Sequence, residues 1–428
     1  MQPNITQVEW SATNVPSGLS FNAQTGTFSG TPTTSGTYTV PVHVETNYGE
    51  DTKDVTIAVE TPGYDVYAVG AQAATWSEGA EADSYGFRKL NIPKANKLSS
   101  ILGGFAAKAT NGDWYVGSNL PVPIYHDAVA GAGDDNRDFS VPRQYLGDKE
   151  AGKIVAIVGG NKVGSGLKSS TGSYSNFESA LAILDENGIA YIYEYEMDGQ
   201  THAINVANSY RNVAAVKRLQ EDFASGIAVL KTDDTLASYI YGRISRPLDE
   251  NATGDVVKIV THAYDDALNS GFLYLTSTGE LWGASPVSSF NPSASYRVAQ
   301  ELGAIKNFWY IYTFNVQNQY FRDIFVQTKD NKLYARGCNT KYELGLSEAK
   351  SYTEFTEVGL FDIKTMSYPF MLTNDGKLYH VGNYAITHSY YGVSGIDGHT
   401  EFTQIFPDYK FHDIALASRA NTLVVTRE

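Results

Sequence analysis

The chain has 428 residues, with 32 Lys and Arg against 47 Asp and Glu and a formal net charge of -15. So acidic a balance argues against a nucleic-acid grip, which needs basic patches to displace counterions from phosphates, and against anionic membrane surfaces. A single cysteine, Cys338, excludes an internal disulfide framework and a thiolate metal cluster, while 30 Tyr, 39 Gly and 14 Pro with only 18% charged residues predict short strands and turns, an all-β protein.

The N-terminus lacks the charged, hydrophobic, small-residue pattern of an export leader. No apolar run approaches the roughly 20 residues of a membrane span, so neither leader-driven export nor membrane insertion is expected.

From Val8 onward alternation assigns faces. Tyr38, Val40, Val42 and Val44 share one side against Thr39, Pro41, His43 and Glu45, and Val55, Ile57 and Val59 repeat the pattern. Two such strands joined by a turn at Asn47-Tyr48-Gly49 predict a small β-sandwich. Pro41 has no N–H to give a ladder, so its strand is expected at an edge or with a bulge. Three turn signatures occur in order: Val15-Pro16-Ser17-Gly18-Leu19, then Thr25-Gly26-Thr27-Phe28-Ser29-Gly30-Thr31-Pro32, then Ser35-Gly36-Thr37-Tyr38. On these the segment from about residue 4 to 60 resembles the immunoglobulin-like family common in bacterial and phage surface proteins. That family usually has further strands ahead of the Trp10 position, so either the sequence is cut ahead of them or another chain donates a strand to the open edge. Thr61-Pro62-Gly63 ends the unit, giving an immunoglobulin-like β-sandwich over 1–61 and a second domain over 64–428.

The second domain repeats one unit: a short apolar strand, a turn of Asn, Asp or Gly, and a second strand ending in a small residue. The copies lie at 105–117, 180–193, 227–242, 272–283, 324–337 and 370–382. Their turns accept the positive φ that tight hairpins need. Taking Gly112, Gly188, Asp234, Gly279, Asn331 and Gly376 as markers, the intervals are 76, 46, 45, 52 and 45, so only the first holds a large insertion. A seventh unit is split between the ends, 412–428 supplying one hairpin strand and Tyr64–Gly70 the other. Seven units of about 52 residues predict a seven-bladed β-propeller closed by pairing of N- and C-terminal strands. The segment holding Gly337, Asn339, Glu343, Leu344 and Gly345, and that holding Gly376, Leu378, Tyr379, Gly382 and Asn383, resemble the regulator of chromosome condensation propeller family in degenerate form. The resemblance implies the fold. The family's eukaryotic founder exchanges nucleotide on a small GTPase and touches chromatin, and this acidic chain, without a basic arm, is not expected to share that activity.

Chemical motifs fail on spacing. In 153–170, Gly159 and Gly164 are spaced as in a phosphate loop, but Ser165 stands where the lysine belongs. Asp134, Asn136 and Asp138 have calcium-loop spacing, yet Phe139 replaces the glycine and Tyr145 the bidentate glutamate. The eight His form no HxH or HxxxH pair, and no GxSxG elbow occurs. No catalytic residue, metal or cofactor is assigned, although paired carboxylates from distant blades remain open to a glycan-cleaving enzyme.

Most aromatics, such as Tyr191, Tyr193, Phe308, Trp309 and Tyr310, sit at alternating strand positions and read as packing. Trp76, Tyr85, Tyr174, Tyr296, His388, Tyr390 and Tyr391 fall in predicted loops, where exposed rings anchor sugars and protein surfaces; these are the candidate ligand-binding residues. The domain pairing predicts a non-enzymatic phage virion protein, of tail, fibre or capsid decoration, located in the virion. Its propeller would bind a host cell-surface glycan or protein, or other virion proteins, with no nucleic acid among its partners and homo-oligomers allowed. The alternatives are a secreted or cell-surface bacterial adhesin or carbohydrate-binding protein, and a glycan-cleaving propeller enzyme.

Overall fold

Left-handed turn residues set the strand count of this chain. The computed structural model describes all residues except 1–6, 31, 33–35, 60–61, 102, 120–121, 123–138, 148–150, 162–176, 198–203, 223, 225, 240–243, 263–270, 285–294, 315–319, 383–397 and 418–421. Its strands fall into two units, Met1–Gly63 and Tyr64–Glu428.

In the first unit β1 (Val8–Ala12), β4 (Gly36–Thr46) and β5 (Gly49–Val59) form a sheet in the order β1-β4-β5, beside a hairpin of β2 (Leu19–Asn22) and β3 (Thr27–Gly30). Val40 is fully buried, and the rings of Phe21 and Phe28 lie 4.8 Å apart across the hairpin. Gly26 sits under the Trp10 indole at φ +67°, where a Cβ would come within 3.1 Å of the ring. Pro41 corrects an expectation: its strand is the middle one, and its register with β5 runs without a bulge. The β1 register ends at Ala12↔Val42, and the Pro41 carbonyl accepts from Thr13 N–H at 3.2 Å on that side. The missing N–H therefore points to the β1 side one residue past the last pair, so its cost falls at the end of that ladder.

The described residues of the second unit form seven four-stranded antiparallel sheets. Blades one to six follow the chain, and their inner strands are Ala95–Ile101, Ile154–Asn161, Val216–Leu219, Val256–His262, Ile305–Phe314 and Ile363–Ser367. The seventh blade has the order Phe411–Ala417, Thr422–Arg427, Asp65–Gly70, Arg88–Lys89, two strands from each end of the chain. Thr422–Arg427 pairs with Asp65–Gly70 over six residues without interruption. Each blade packs against the next through its own apolar cluster. Between blades seven and one lie Val66, Ala415 and Val424 against Leu98, Phe105 and Ala107. Between six and seven, Phe370, Leu372 and Leu378 meet Phe411, Leu416 and Leu423. Seven such clusters serve seven blades, which is the pattern of a closed ring.

The turn markers read from sequence all have positive φ, including Asp234 at 62° and Asn331 at 66°. Their role extends past the hairpin. The carbonyls of Gly188, Gly279 and Gly376 accept, each at 2.9 Å, from the first N–H of the following blade's inner strand, at Val216, Ile305 and Phe411. A Cβ on Gly279 or Gly376 would meet the Ile305 or Phe411 carbonyl oxygen at 2.9 and 3.0 Å. The left-handed turn thus pins neighbouring blades together as well as joining strands.

Candidate functional site

Antiparallel order divides the ring into two sides. The connections between second and third strands, and those between blades, are short: 110–113, 186–189, 232–234, 277–280, 329–331 and 374–377, with 90–94, 146–153, 214–215, 248–255, 299–304, 361–362 and 406–410. This is the turn side. Connections between first and second or third and fourth strands leave from the opposite end and include the long segments 71–87, 119–142, 162–176, 285–294, 339–350 and 383–398. Long connections on a rigid scaffold are where binding residues concentrate, which makes this loop side the candidate functional surface.

The structure separates the aromatic candidates. Trp76 is a correction: it ends a short helix, α1 (Ala73–Trp76), and is fully buried, its ring 5.2 Å from Phe105 among Val66, Ala68 and Leu90. A small apolar helical turn in a connection that was expected to be irregular carries the indole inward. Tyr85 is half-buried, because the end of the 71–87 connection folds back along the outside of blade seven. Its ring lies 5.3 Å from Phe406 and 5.2 Å from Tyr409, and its hydroxyl donates to Asp408 at 2.7 Å, a bond that raises the phenol pKa. Tyr85 thereby belongs to the turn side. Tyr296 is on a strand, Ser295–Val298, with 44% of its surface exposed, and its ring lies across Gly283, where a Cβ would come within 2.5 Å. Tyr174, His388, Tyr390 and Tyr391 lie outside the described residues. Their segments, 162–176 and 383–397, join strand ends of the loop side, as does the segment leading into Tyr296.

One described loop-side connection shows how such segments are built. In 339–350 the buried Asn339 donates from Nδ2 to the carbonyls of Leu346 and Glu348, both at 2.7 Å, and accepts from Leu344 N–H at 2.8 Å. Glu343 accepts from Lys341 N–H at 2.6 Å, and Leu344 and Leu346 enter the apolar cluster between blades five and six. The motif that carried the family resemblance is therefore a self-bonded structural loop. Cys338 is buried beside it, its N–H on Asp323 at 2.8 Å.

Gly159 is buried in the inner strand of blade two, while Gly164 and Ser165 lie outside the described residues. Asp134, Asn136 and Asp138 lie outside the described residues, while Phe139 and Tyr145 are buried with ring centroids 5.8 Å apart. Among the described residues no group of three His, Cys, Asp or Glu could hold a metal ion, and no helix is long and apolar enough to cross a membrane.

An arrangement that the sequence reading missed lies around the axis. An inner strand has no partner on its axial edge, so N–H groups there need side-chain acceptors. Leu416 N–H donates to both Ser100 and Ser367 Oγ at 3.1 Å, and Phe308 N–H to Asn307 Oδ1 at 2.8 Å. Asp413 accepts from Leu98 N–H of the next blade at 2.6 Å and from Ile414 N–H at 2.9 Å. Burial pushes the Asp413 carboxyl up to about 6, although those two N–H groups and the charges of Lys364 and Lys97 act in the opposite direction. An acid raised from 3.8 to about 6 in the fold favours the folded state while protonated. That contribution is complete below pH 4 and is lost as pH rises through about 6. An Asp413→Asn variant removes the charge but keeps an acceptor for only one of the two N–H groups, so it is expected to be less stable than the parent near pH 4 and to gain on it by about 1–3 kcal/mol as pH rises past 6. Urea unfolding across that range measures the difference.

Comparison with known proteins supports these assignments at the level of fold. Residues 2–60 match the family model described as "Putative Ig domain". No curated protein matches the chain. Among solved structures, yeast RCC1 (Prp20) bound to Kap60 superposes with TM-score 0.55 at 12% identity, over 86% of this chain and 90% of that one. Prp20p from Saccharomyces cerevisiae, in a structure titled for its binding properties to Gsp1p and histones, gives 0.55 and 12% over 86% and 92%. Human WBSCR16 gives 0.53 and 10% over 86% and 99%. The chain is thus an immunoglobulin-like domain followed by a propeller with the fold of RCC1. At these identities the likeness is one of fold alone.

Proposed function

We propose that this chain is a non-enzymatic binding protein whose propeller engages another macromolecule through its loop side. The observation that carries the reading is the uneven distribution of connections, with the long segments gathered on one side of a ring whose other side is made of short turns. An immunoglobulin-like module ahead of the ring supports an attaching or spacing role, and a solved propeller of the same fold is titled for binding Gsp1p and histones. The finer reading is a phage virion component, of tail, fibre or capsid decoration, contacting a host-surface receptor or another virion protein. Tyr174, Tyr296, His388, Tyr390 and Tyr391 are its contact residues; Trp76 and Tyr85 are not.

Capture of whole host cells and of purified virion proteins by the full chain tests this. Binding is expected to weaken about five-fold or more in Tyr296→Ala, an exposed aromatic of the kind that dominates interfaces. Capture of neither class of target would end the virion reading. Capture unaffected by Tyr296→Ala would remove the blade-four edge from the contact surface.

A further inference from the structure

Every inner strand of the ring begins with the same irregularity. The register skips one residue after the first pair: Asn96, Val155, Lys217, Val257, Lys306, Lys364 and His412 in blades one to seven. Such a bulge leaves its extra residue out of the ladder, and at five of the seven blades that residue is exposed, between buried first and fourth positions. The third positions are Lys97, Ala156, Arg218, Lys258, Asn307, Thr365 and Asp413. These fourteen positions form a collar around the axis on the turn side.

The collar's composition opposes that of the chain. It holds Lys97, Lys217, Arg218, Lys258, Lys306 and Lys364 against one carboxylate, Asp413, in a protein whose acids outnumber its bases 47 to 32. Part of this charge is balanced locally: Lys217 pairs with Asp234, Lys306 with Asp362 at 2.7 Å, Lys258 with Asp222 at 2.7 Å and Arg218 with Glu221 at 3.7 Å. Lys97 and Lys364 make no ion pair with any described residue. They flank Asp413, whose oxygens are engaged by backbone N–H groups. Beside Lys97, Lys108 is pushed down by burial first and then by the charges of Lys97 and Lys153. Two of the bulge residues are apolar and exposed, Val155 at 38% and Val257 at 37%.

We propose that the turn-side collar is a docking surface for an acidic segment of a partner protein. Lys97 and Lys364, set on blades one and six, suit carboxylates spaced along a chain better than one compact anion. Val155 and Val257, on separate blades, offer single apolar contacts that a peptide side chain can use and a bare polyanion cannot.

A short labelled peptide of alternating Glu and Val, titrated into the full chain at about 50 mM salt, tests the proposal. It is expected to bind, to lose about ten-fold in affinity in the Lys97→Gln/Lys364→Gln double variant, and to weaken steeply with salt. Lys341→Gln, on the loop side, leaves binding unchanged, and Val257→Ser weakens it a few-fold. Unaltered thermal unfolding of the double variant shows that lost binding is not lost folding. Failure to bind, binding indifferent to the double variant, or equal binding of polyphosphate of matched charge would each overturn the proposal. Because this surface is opposite the loop side, its failure leaves the function proposed above standing.

Discussion

Replacing Arg427 by alanine is expected to destabilise the propeller by about 2–3 kcal/mol, because a partly buried ion pair with Asp83 and stacking on two tyrosine rings are lost together. Arg427 is the last residue of the C-terminal strand and pairs across the closing ladder with Asp65. Its guanidinium lies 3.9 Å from the Tyr67 ring centroid and 4.0 Å from that of Tyr409, and donates to Asp83 at 2.6 Å. Tyr67 and Asp83 come from the start of the propeller, Tyr409 from its end, so one side chain fastens both ends of the chain. Burial tends to raise the Asp83 pKa, but Arg427 and the N–H groups of Tyr85 and Phe87 outweigh it and hold the carboxyl below 3.8. The ion pair therefore persists until the medium is strongly acid, and its stabilisation is lost only as pH falls through that lowered value. Arg427→Lys keeps the charge but loses the planar stacking, and should recover only part of the loss. Hydrogen exchange distinguishes a latch from general damage: Thr422–Arg427 and Asp65–Gly70 should open together while the inner strand of blade three stays protected.

Asn339→Ala carries the second large effect, about 2–4 kcal/mol. Three hydrogen bonds at 2.7, 2.7 and 2.8 Å are lost, and the carbonyls of Leu346 and Glu348 lose a buried donor. Asn339→Asp is the discriminating variant. Its carboxylate can still accept from Leu344 N–H, but it turns an oxygen toward two carbonyl oxygens, so it should be at least as destabilising as alanine. Thermal unfolding of both variants measures this; a mild effect of the aspartate would show that the loop can be rebuilt without the Nδ2 donor.

The blades were legible because the hairpin turn is a local device. Asn-Gly, Asp-Gly and Asp-Asn pairs mark left-handed backbone, and the structure places positive φ at the markers from Gly112 to Gly376. The split seventh blade was legible for the same reason, since Tyr64–Gly70 reads as a strand without its hairpin mate. The bulged strand starts were not legible. The inner strand of blade three, Val216–Leu219, is four residues long, and a skipped residue breaks the two-residue alternation that sequence reading depends on. Only superposing the blades brings Lys97, Lys258 and Asp413 to equivalent positions. Arg427 is an ordinary basic residue in sequence, 344 positions from Asp83. Trp76 misled because a large ring between Ala74 and Gly79 reads as a loop tip, whereas helix α1 and the blade-one strand holding Phe105 enclose it.

Binding through the loop side can be read by hydrogen exchange of the full chain, alone and with a captured host-cell or virion target. Slowed exchange is expected in peptides covering 162–176, 285–298 and 383–397, with the turns at 329–331 and 374–377 unchanged. Protection confined to those turns, or to residues 7–59, would contradict it.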